Sequence, residues 1–135
     1  KGLIGDLIDR GVKVIVPIVR KVDGEEVMQH SYLLHPDDLI RGAYGIPEPK
    51  IVELATDIPL DAIIVPIAAY DGFGNRIGYG KGFYDKFLHE QNSATKRIGL
   101  AFSIQETDEL PHESHDERLD MIVTEQGITL ASKVN

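Results

Sequence analysis

Glycines and cationic side chains are concentrated between residues 72 and 82. Five of the thirteen glycines in the chain lie there: Gly72, Gly74, Gly78, Gly80 and Gly82. Because glycine has no Cβ, backbone N–H groups can converge on one point, and a helix that begins after them adds positive potential. Arg76 and Lys81 bring two cationic donors to the same stretch. The combination predicts a loop that binds phosphate groups.

The spacing of these glycines differs from that of two familiar nucleotide motifs. The run Gly78-Tyr79-Gly80-Lys81-Gly82 has the form G-x-G-x-G, whereas the dinucleotide fingerprint is G-x-G-x-x-G. A P-loop requires Ser or Thr after its lysine, and here Gly82 follows. A tightly turned structural loop is therefore the alternative. The cationic and aromatic residues, and the position between a predicted strand and helix, favour ligand binding.

Carboxylates follow the glycines and recur near the end of the chain. Asp85 falls in the first turn of the predicted helix, where it either complements the helix dipole or holds Mg²⁺ beside phosphates; the local sequence leaves both open. Residues 106–120 contain seven acids and one base. Asp116 could supply a second Mg²⁺ carboxylate, although the local sequence alone favours a turn cap. His112 and His115 form an H-x-x-H pair, which is a weak metal signal without a third ligand type.

The elements that must position these residues alternate between strands and helices. Apolar runs predict strands at 12–19, 60–67, 97–102 and 119–124, and those at 12–19 and 60–67 are expected to be buried on both faces. A short edge strand is predicted at 128–131, and helices at 3–10 and 83–91. Asp23-Gly24 predicts a hairpin turn with an antiparallel return at 27–34, and the prolines at 44–49 predict an ordered loop. Phe83 and Phe87, at helical spacing, are predicted core residues. The pattern predicts an α/β fold in three layers, with a mostly parallel, Rossmann-like sheet flanked by helices.

Length, charge and composition limit the classes of function. At 135 residues we expect one domain, and the net charge of −8 argues against a nucleic-acid partner, which would require a basic face. The absence of Cys excludes a thiol nucleophile and a Cys-ligated metal. No apolar run approaches the roughly 20 residues of a membrane span, so we expect no membrane partner and a cytoplasmic location.

Two long segments of the sequence closely resemble the signature of one family. The run DAIIVP at 61–66, followed by AYDGFGNRIGYGKGFYD at 69–85, resembles the signature of 5-formyltetrahydrofolate cyclo-ligase, also called 5,10-methenyltetrahydrofolate synthetase. The tail from Leu110 through Asp116 to Glu125 resembles the second block of that family. Tyr70 and Ile77 stand where the family usually has Phe and Leu.

The resemblance implies an enzyme that closes 5-formyltetrahydrofolate to 5,10-methenyltetrahydrofolate with ATP and Mg²⁺, releasing ADP and phosphate. It assigns catalytic roles to Arg76 and Lys81, and metal binding to Asp85 and Asp116. The implied folate contacts lie at 79–83. The implied ATP contacts are Arg76, Ile77, Gly78, Tyr79, Gly80, Lys81, Gly82, Phe83 and Tyr84.

The resemblance also leads us to expect a single cyclo-ligase-like domain over 1–135, without the N-terminal helical segment through which the family reaches ATP. We expect small-molecule partners and a monomer or weak homo-oligomer. Two alternatives stay open: a non-catalytic nucleotide-binding module that keeps the phosphate loop, and a sugar-phosphate isomerase-like enzyme that does not need ATP.

Overall fold

The structure is a computed structural model that describes residues 2–42, 45–56, 59–78, 83–111 and 117–131. The chain divides into two compact units, Lys1–Ile58 and Pro59–Asn135. The single domain predicted over 1–135 stays a prediction. Within the described ranges no helix has the length and apolar character needed to cross a bilayer.

The first unit opens with helix α1 (Leu3–Asp9), which confirms the predicted helix. The chain leaves the helix at Gly11, whose φ is +80°. The N–H of Gly11 donates to the carbonyl of Ile8 at 3.0 Å, and the N–H of Val12 donates to that of Leu7 at 3.0 Å. This is a Schellman motif, in which a left-handed glycine ends the helix and satisfies its last carbonyls.

A long antiparallel hairpin follows, formed by β1 (Val14–Val22) and β2 (Glu25–Leu33). Both turn residues, Asp23 and Gly24, have positive φ (53° and 82°), as a primed two-residue turn requires. The predicted turn and antiparallel return are therefore confirmed. The strand predicted at 12–19 was expected to be buried on both faces, and that is wrong. Within β1 only Ile18 is fully buried, because the strand lies in a two-stranded sheet.

The segment predicted as an ordered loop contains a strand. After a 3₁₀ turn at Pro36–Asp38, β3 (Leu39–Arg41) pairs antiparallel with β4 (Pro47–Pro49). The loop prediction is therefore wrong for these three residues. These residues form a strand because β3 pairs with them. In addition, the buried side chain of Glu48 accepts a hydrogen bond from the backbone N–H of Val19 at 2.9 Å, which joins β4 to β1.

The second unit is built on a four-stranded sheet. Its elements are β5 (Ala62–Val65), β6 (Ala69–Tyr70), β7 (Arg76–Ile77), α2 (Phe83–His89), β8 (Lys96–Leu100), β9 (Met121–Thr124) and β10 (Gly127–Leu130). The strand order is β10-β9-β8-β5; β5, β8 and β9 run parallel, and β10 is antiparallel. The three strands and the edge strand predicted in this unit are confirmed, and the fold is mixed α/β with a parallel sheet.

Helix α2 packs against one face of this sheet. Leu88 of the helix is fully buried in a cluster with Ile63 and Val65 of β5. Ile64, between them, is exposed, so β5 is buried on one face and the prediction of continuous burial is wrong for this strand. The three-layer, Rossmann-like arrangement stays a prediction.

Candidate functional site

The glycine-rich stretch begins as a hairpin rather than as an open loop. Beyond β5 the chain forms β6 and β7, which pair Tyr70 with Arg76. The sequence predicts a glycine-rich loop over 70–82, and this is wrong at Tyr70 in β6 and at Arg76–Ile77 in β7, because these two strands pair with each other. Nη1 of Arg76 lies 3.4 Å from the carbonyl oxygen of Pro66, directly after β5. Arg76 thus lies at the carboxyl end of a parallel strand, where α/β proteins bind ligands.

The guanidinium of Arg76 is buried but not fully paired. Its side chain is 4% exposed, and Nη2 donates to Oδ1 of Asp85 at 3.0 Å. Asp85 itself is 65% exposed. The Nε atom of Arg76 is buried and has no hydrogen-bond partner among the described residues. Because an unsatisfied buried N–H on a charged group costs free energy, an anionic oxygen brought by a ligand would be stabilised here.

Gly78 makes room for this guanidinium. A Cβ built on Gly78 would lie 2.7 Å from Nη1 of Arg76, which is closer than real Cβ atoms approach other atoms. A Cβ at this position would therefore push the guanidinium of Arg76 aside. The sequence singled out Gly78 for its freedom at a ligand, and the structure adds this steric reason.

The turn between β6 and β7 is organised by the fully buried Asp71. Oδ1 of Asp71 accepts from the backbone N–H groups of Phe73 (2.9 Å) and Asn75 (3.0 Å). Oδ2 accepts from Nδ2 of Asn75 (3.0 Å) and from the N–H of Leu110 (2.8 Å). Burial alone would raise the pKa of Asp71, but the hydrogen bonds from Leu110, Asn75 and Phe73 outweigh it and lower that pKa.

Asp71 was missed as a site residue in the sequence. The signal available was an aspartate at the start of a Gly-rich turn, since Asp side chains cap such turns through the N–H groups that follow. Its bond to Leu110 spans 39 residues and left no local signal.

Helix α2 presents its residues differently from the prediction. Tyr84 and Phe87 pack against the core beside Leu88, whereas Phe83 is half-buried and is not part of that cluster. The core role is therefore confirmed for Phe87 and wrong for Phe83. Burial raises the pKa of the Tyr84 phenol, while the charge of Arg76 acts in the opposite direction. Tyr84 thus has its ring against the core and Arg76 within electrostatic reach.

The structure brings together three of the predicted site residues, Arg76, Gly78 and Asp85. Ile77, in β7, is about half exposed, so a ligand can reach it. Five predicted site residues lie outside the described residues: Tyr79, Gly80, Lys81, Gly82 and Asp116. The weak His112 and His115 pair also lies outside them.

Of the two carboxylates predicted to hold a cation, Asp85 is the one among the described residues. In the described ranges there is no cluster of three or more His, Asp or Glu side chains able to hold a metal by themselves. Mg²⁺ does not need such a cluster, because it commonly binds through one or two carboxylates together with substrate phosphates and water. The exposed carboxylate of Asp85 beside a buried arginine fits that type of site.

Comparison with known proteins finds one family. The family model described as 5-formyltetrahydrofolate cyclo-ligase matches residues 1–125. The chain is 33% identical over 127 residues to the 5-formyltetrahydrofolate cyclo-ligase of Escherichia coli K12, covering 90% of this chain and 68% of that relative. It is 30% identical over 125 residues to the enzyme of the same name from Mycolicibacterium smegmatis, covering 90% of this chain and 64% of that relative.

A solved structure shares the fold. The NMR structure of Aquifex aeolicus 5,10-methenyltetrahydrofolate synthetase superposes with a TM-score of 0.73 at 30% sequence identity. The match covers 98% of this chain and 65% of that one. The chain therefore spans about two thirds of the length of these relatives.

Proposed function

The chain belongs to the 5-formyltetrahydrofolate cyclo-ligase family, a family of ligases, and on that premise we propose that it performs the ATP-dependent closure of 5-formyltetrahydrofolate to 5,10-methenyltetrahydrofolate. ADP and phosphate are the other products. The relatives carry this substrate in their names. The use of ATP and Mg²⁺, and the residues that contact them, are our proposal.

The observation that carries the proposal is the state of Arg76. Its guanidinium is almost completely buried at the carboxyl end of β5, yet its Nε–H has no partner among the described residues. Asp85 accepts from Nη2 and is open to solvent. A phosphate oxygen beside Arg76 and a cation beside Asp85 would satisfy both groups, which is the charge pattern of a metal–nucleotide complex.

The proposed chemistry proceeds in two steps. The formyl oxygen of the folate attacks the terminal phosphorus of ATP, a new P–O bond forms, and ADP leaves. The neighbouring folate N–H nitrogen then attacks the formyl carbon and loses its proton to solvent, and the C–O bond breaks so that the phosphorylated oxygen departs as inorganic phosphate. Phosphorylation is needed because the formyl oxygen is otherwise a poor leaving group.

The residues contribute positioning and charge. Arg76 holds the transferred phosphate through its guanidinium N–H groups, and its burial keeps water from screening that charge. Asp85 would hold Mg²⁺, which when bound neutralises phosphate charge. Ile77, Gly78, Phe83 and Tyr84 line the nucleotide, and Phe83 also contacts the folate.

The roles of Tyr79, Gly80, Lys81, Gly82 and Asp116 belong to the same proposal and rest on the family resemblance. The three-layer, Rossmann-like arrangement is also part of it. That arrangement is supported by the parallel order of β5, β8 and β9 and by the packing of α2 on one face.

The decisive experiment is an absorbance assay for methenyltetrahydrofolate formed from 5-formyltetrahydrofolate and Mg-ATP. We expect turnover by the intact protein, and a loss of about 100-fold in kcat/KM for Arg76→Ala, because a buried phosphate contact is removed. Arg76→Lys tests the same position with the charge retained, in case the alanine variant does not fold. Lys86→Ala, an exposed cation one position after Asp85, is the matched control and should retain full activity.

Three results would contradict the proposal. Mg-ATP binding without turnover would favour the nucleotide-binding module. Turnover of a sugar phosphate without ATP would favour the isomerase. Unchanged activity in folded Arg76→Ala and Arg76→Lys would remove the role assigned to Arg76.

A further inference from the structure

Asp71 is a buried carboxylate that the proposed chemistry does not use directly. It is fully buried, and both of its oxygens are occupied by N–H donors. A buried carboxylate is costly unless its lone pairs are satisfied, so these contacts must form together for the turn to be stable. The carboxylate therefore fixes the conformation of the 71–75 turn and is not a solvated surface charge.

The 71–75 turn lies immediately before Arg76. Asn75 donates to Asp71 through its backbone and its side chain, and the next residue is Arg76 in β7. The carbonyl of Asn75 in turn accepts from the N–H of Asp71 at 3.1 Å. The position from which the arginine side chain starts is thus determined by the conformation of this turn.

The same carboxylate ties the turn to a distant part of the chain. The N–H of Leu110, at the start of the second signature segment, donates to Oδ2 of Asp71 at 2.8 Å, and Leu110 is buried. In the same turn, the carbonyl of Gly74 accepts from the N–H of Leu119 at 2.8 Å. The turn is therefore anchored on two segments that flank residues 112–116.

We propose that Asp71 is a positioning residue that holds Arg76 in register for the nucleotide by locking the 71–75 turn against Leu110. The inference rests on the proposed function, because it takes Arg76 as the phosphate contact. If it is correct, loosening Asp71 weakens ATP binding through Arg76 while leaving the folate contacts intact. A residue with a merely structural role would lower the amount of folded protein without this selectivity.

Two substitutions separate the contacts. Asp71→Asn retains an oxygen for the N–H groups of Phe73 and Asn75, but it turns an amide N–H toward the N–H of Leu110. Asn75→Ala removes only the side-chain donor to Asp71. Thr95→Val is the matched control, because Thr95 is also buried in the same unit and its hydroxyl donates to the carbonyl of Leu60 at 2.7 Å, outside the 71–75 turn.

The experiment compares steady-state kinetics of the intact protein at a temperature where every variant is folded. For Asp71→Asn and Asn75→Ala we expect KM for ATP to rise about tenfold and KM for 5-formyltetrahydrofolate to change less than about twofold. Thr95→Val should lower the unfolding temperature and leave both KM values unchanged. Unchanged KM for ATP in both test variants, or an equal rise in Thr95→Val, would overturn the inference.

A second measurement does not depend on catalysis. ¹⁵N relaxation of the Arg76 Nε–H should show a more mobile guanidinium in Asp71→Asn and Asn75→Ala than in the wild type and in Thr95→Val. If the wild type neither binds nor turns over Mg-ATP, the proposed function fails. The relaxation measurement still tests whether Asp71 positions Arg76. An Arg76 Nε–H signal that is unchanged in Asp71→Asn and Asn75→Ala overturns that inference.

Discussion

Arg76 and Asp85 bind each other: Nη2 of the arginine donates to Oδ1 of the aspartate at 3.0 Å. The sequence pointed to these residues for different reasons, one for phosphate and the other for Mg²⁺. The structure shows that the arginine is buried and the aspartate exposed. Of the two paired groups, solvent therefore reaches the carboxylate of Asp85 and not the guanidinium of Arg76.

Asp85→Asn should separate stability from function. The amide oxygen can still accept from Arg76, and the aspartate is mostly solvated, so we expect the free energy of unfolding to change by less than about 1 kcal/mol. The affinity for Mg-ATP should fall about tenfold or more, because the cation loses its carboxylate. Titration calorimetry and urea unfolding measure the two effects. Glu90→Gln, just beyond α2, is the control, and an equal loss of affinity there would contradict the assignment.

Gly78→Ala should weaken nucleotide binding with little effect on stability. The new Cβ would meet Nη1 of Arg76, the far end of a flexible side chain, so the guanidinium shifts rather than the backbone. We expect KM for ATP to rise severalfold. Gly72→Ala is the matched control, since a Cβ there has nothing within 4 Å. Equal kinetics of the two variants would show that the position of the guanidinium does not matter.

Gly74→Ala should destabilise the second unit. Gly74 has φ of +85°, and its Cβ would lie 2.6 Å from the carbonyl oxygen of Leu119, a backbone atom that cannot move aside. Left-handed strain and the clash together predict a loss of about 2–4 kcal/mol in the free energy of unfolding. Urea unfolding measures it, with Gly72→Ala again as the reference. A free energy of unfolding equal to that of Gly72→Ala would show that the turn can rearrange to accept the new Cβ.

Asp71 should make the stability depend on pH at the acid end. Its pKa in the folded protein lies below the ordinary value of 3.8, although burial alone would raise it, because the hydrogen bonds from Leu110, Asn75 and Phe73 favour the charged form. The stabilisation is therefore complete above that value and is lost as the pH falls through the lowered pKa. The difference in unfolding free energy between wild type and Asp71→Asn should be constant from about pH 5 to 7 and shrink below pH 3.8. A difference that grows toward acid pH would contradict this.

Much of the fold could be predicted because local signals coincided with the final structure. Asp23-Gly24 adopts the left-handed pair that its residue types favour, and Gly11 ends α1 in the left-handed conformation that glycine adopts without strain. The strands of the parallel sheet were visible as apolar runs. Where predictions were wrong, a tertiary partner decided: β4 is a strand despite its prolines because β3 pairs with it.

The candidate site divides in the same way. The glycine-rich stretch and its cationic residues were visible in residue types and spacing, whereas the family and the roles proposed for Arg76 and Asp85 came from the resemblance. The sequence could not show that Arg76 is buried, that Gly78 makes room for it, or that Tyr84 rather than Phe83 faces the core.

Residue types and spacing by themselves determined the chemistry available to this protein: two cations, carboxylates, and glycines that permit close approach. Tertiary structure alone decided which of these groups contact each other and which of them are buried away from water. The pairing of Arg76 with Asp85 spans nine residues, and that of Asp71 with Leu110 spans 39. Such contacts leave no local pattern, because their geometry comes from how the sheet and helix pack.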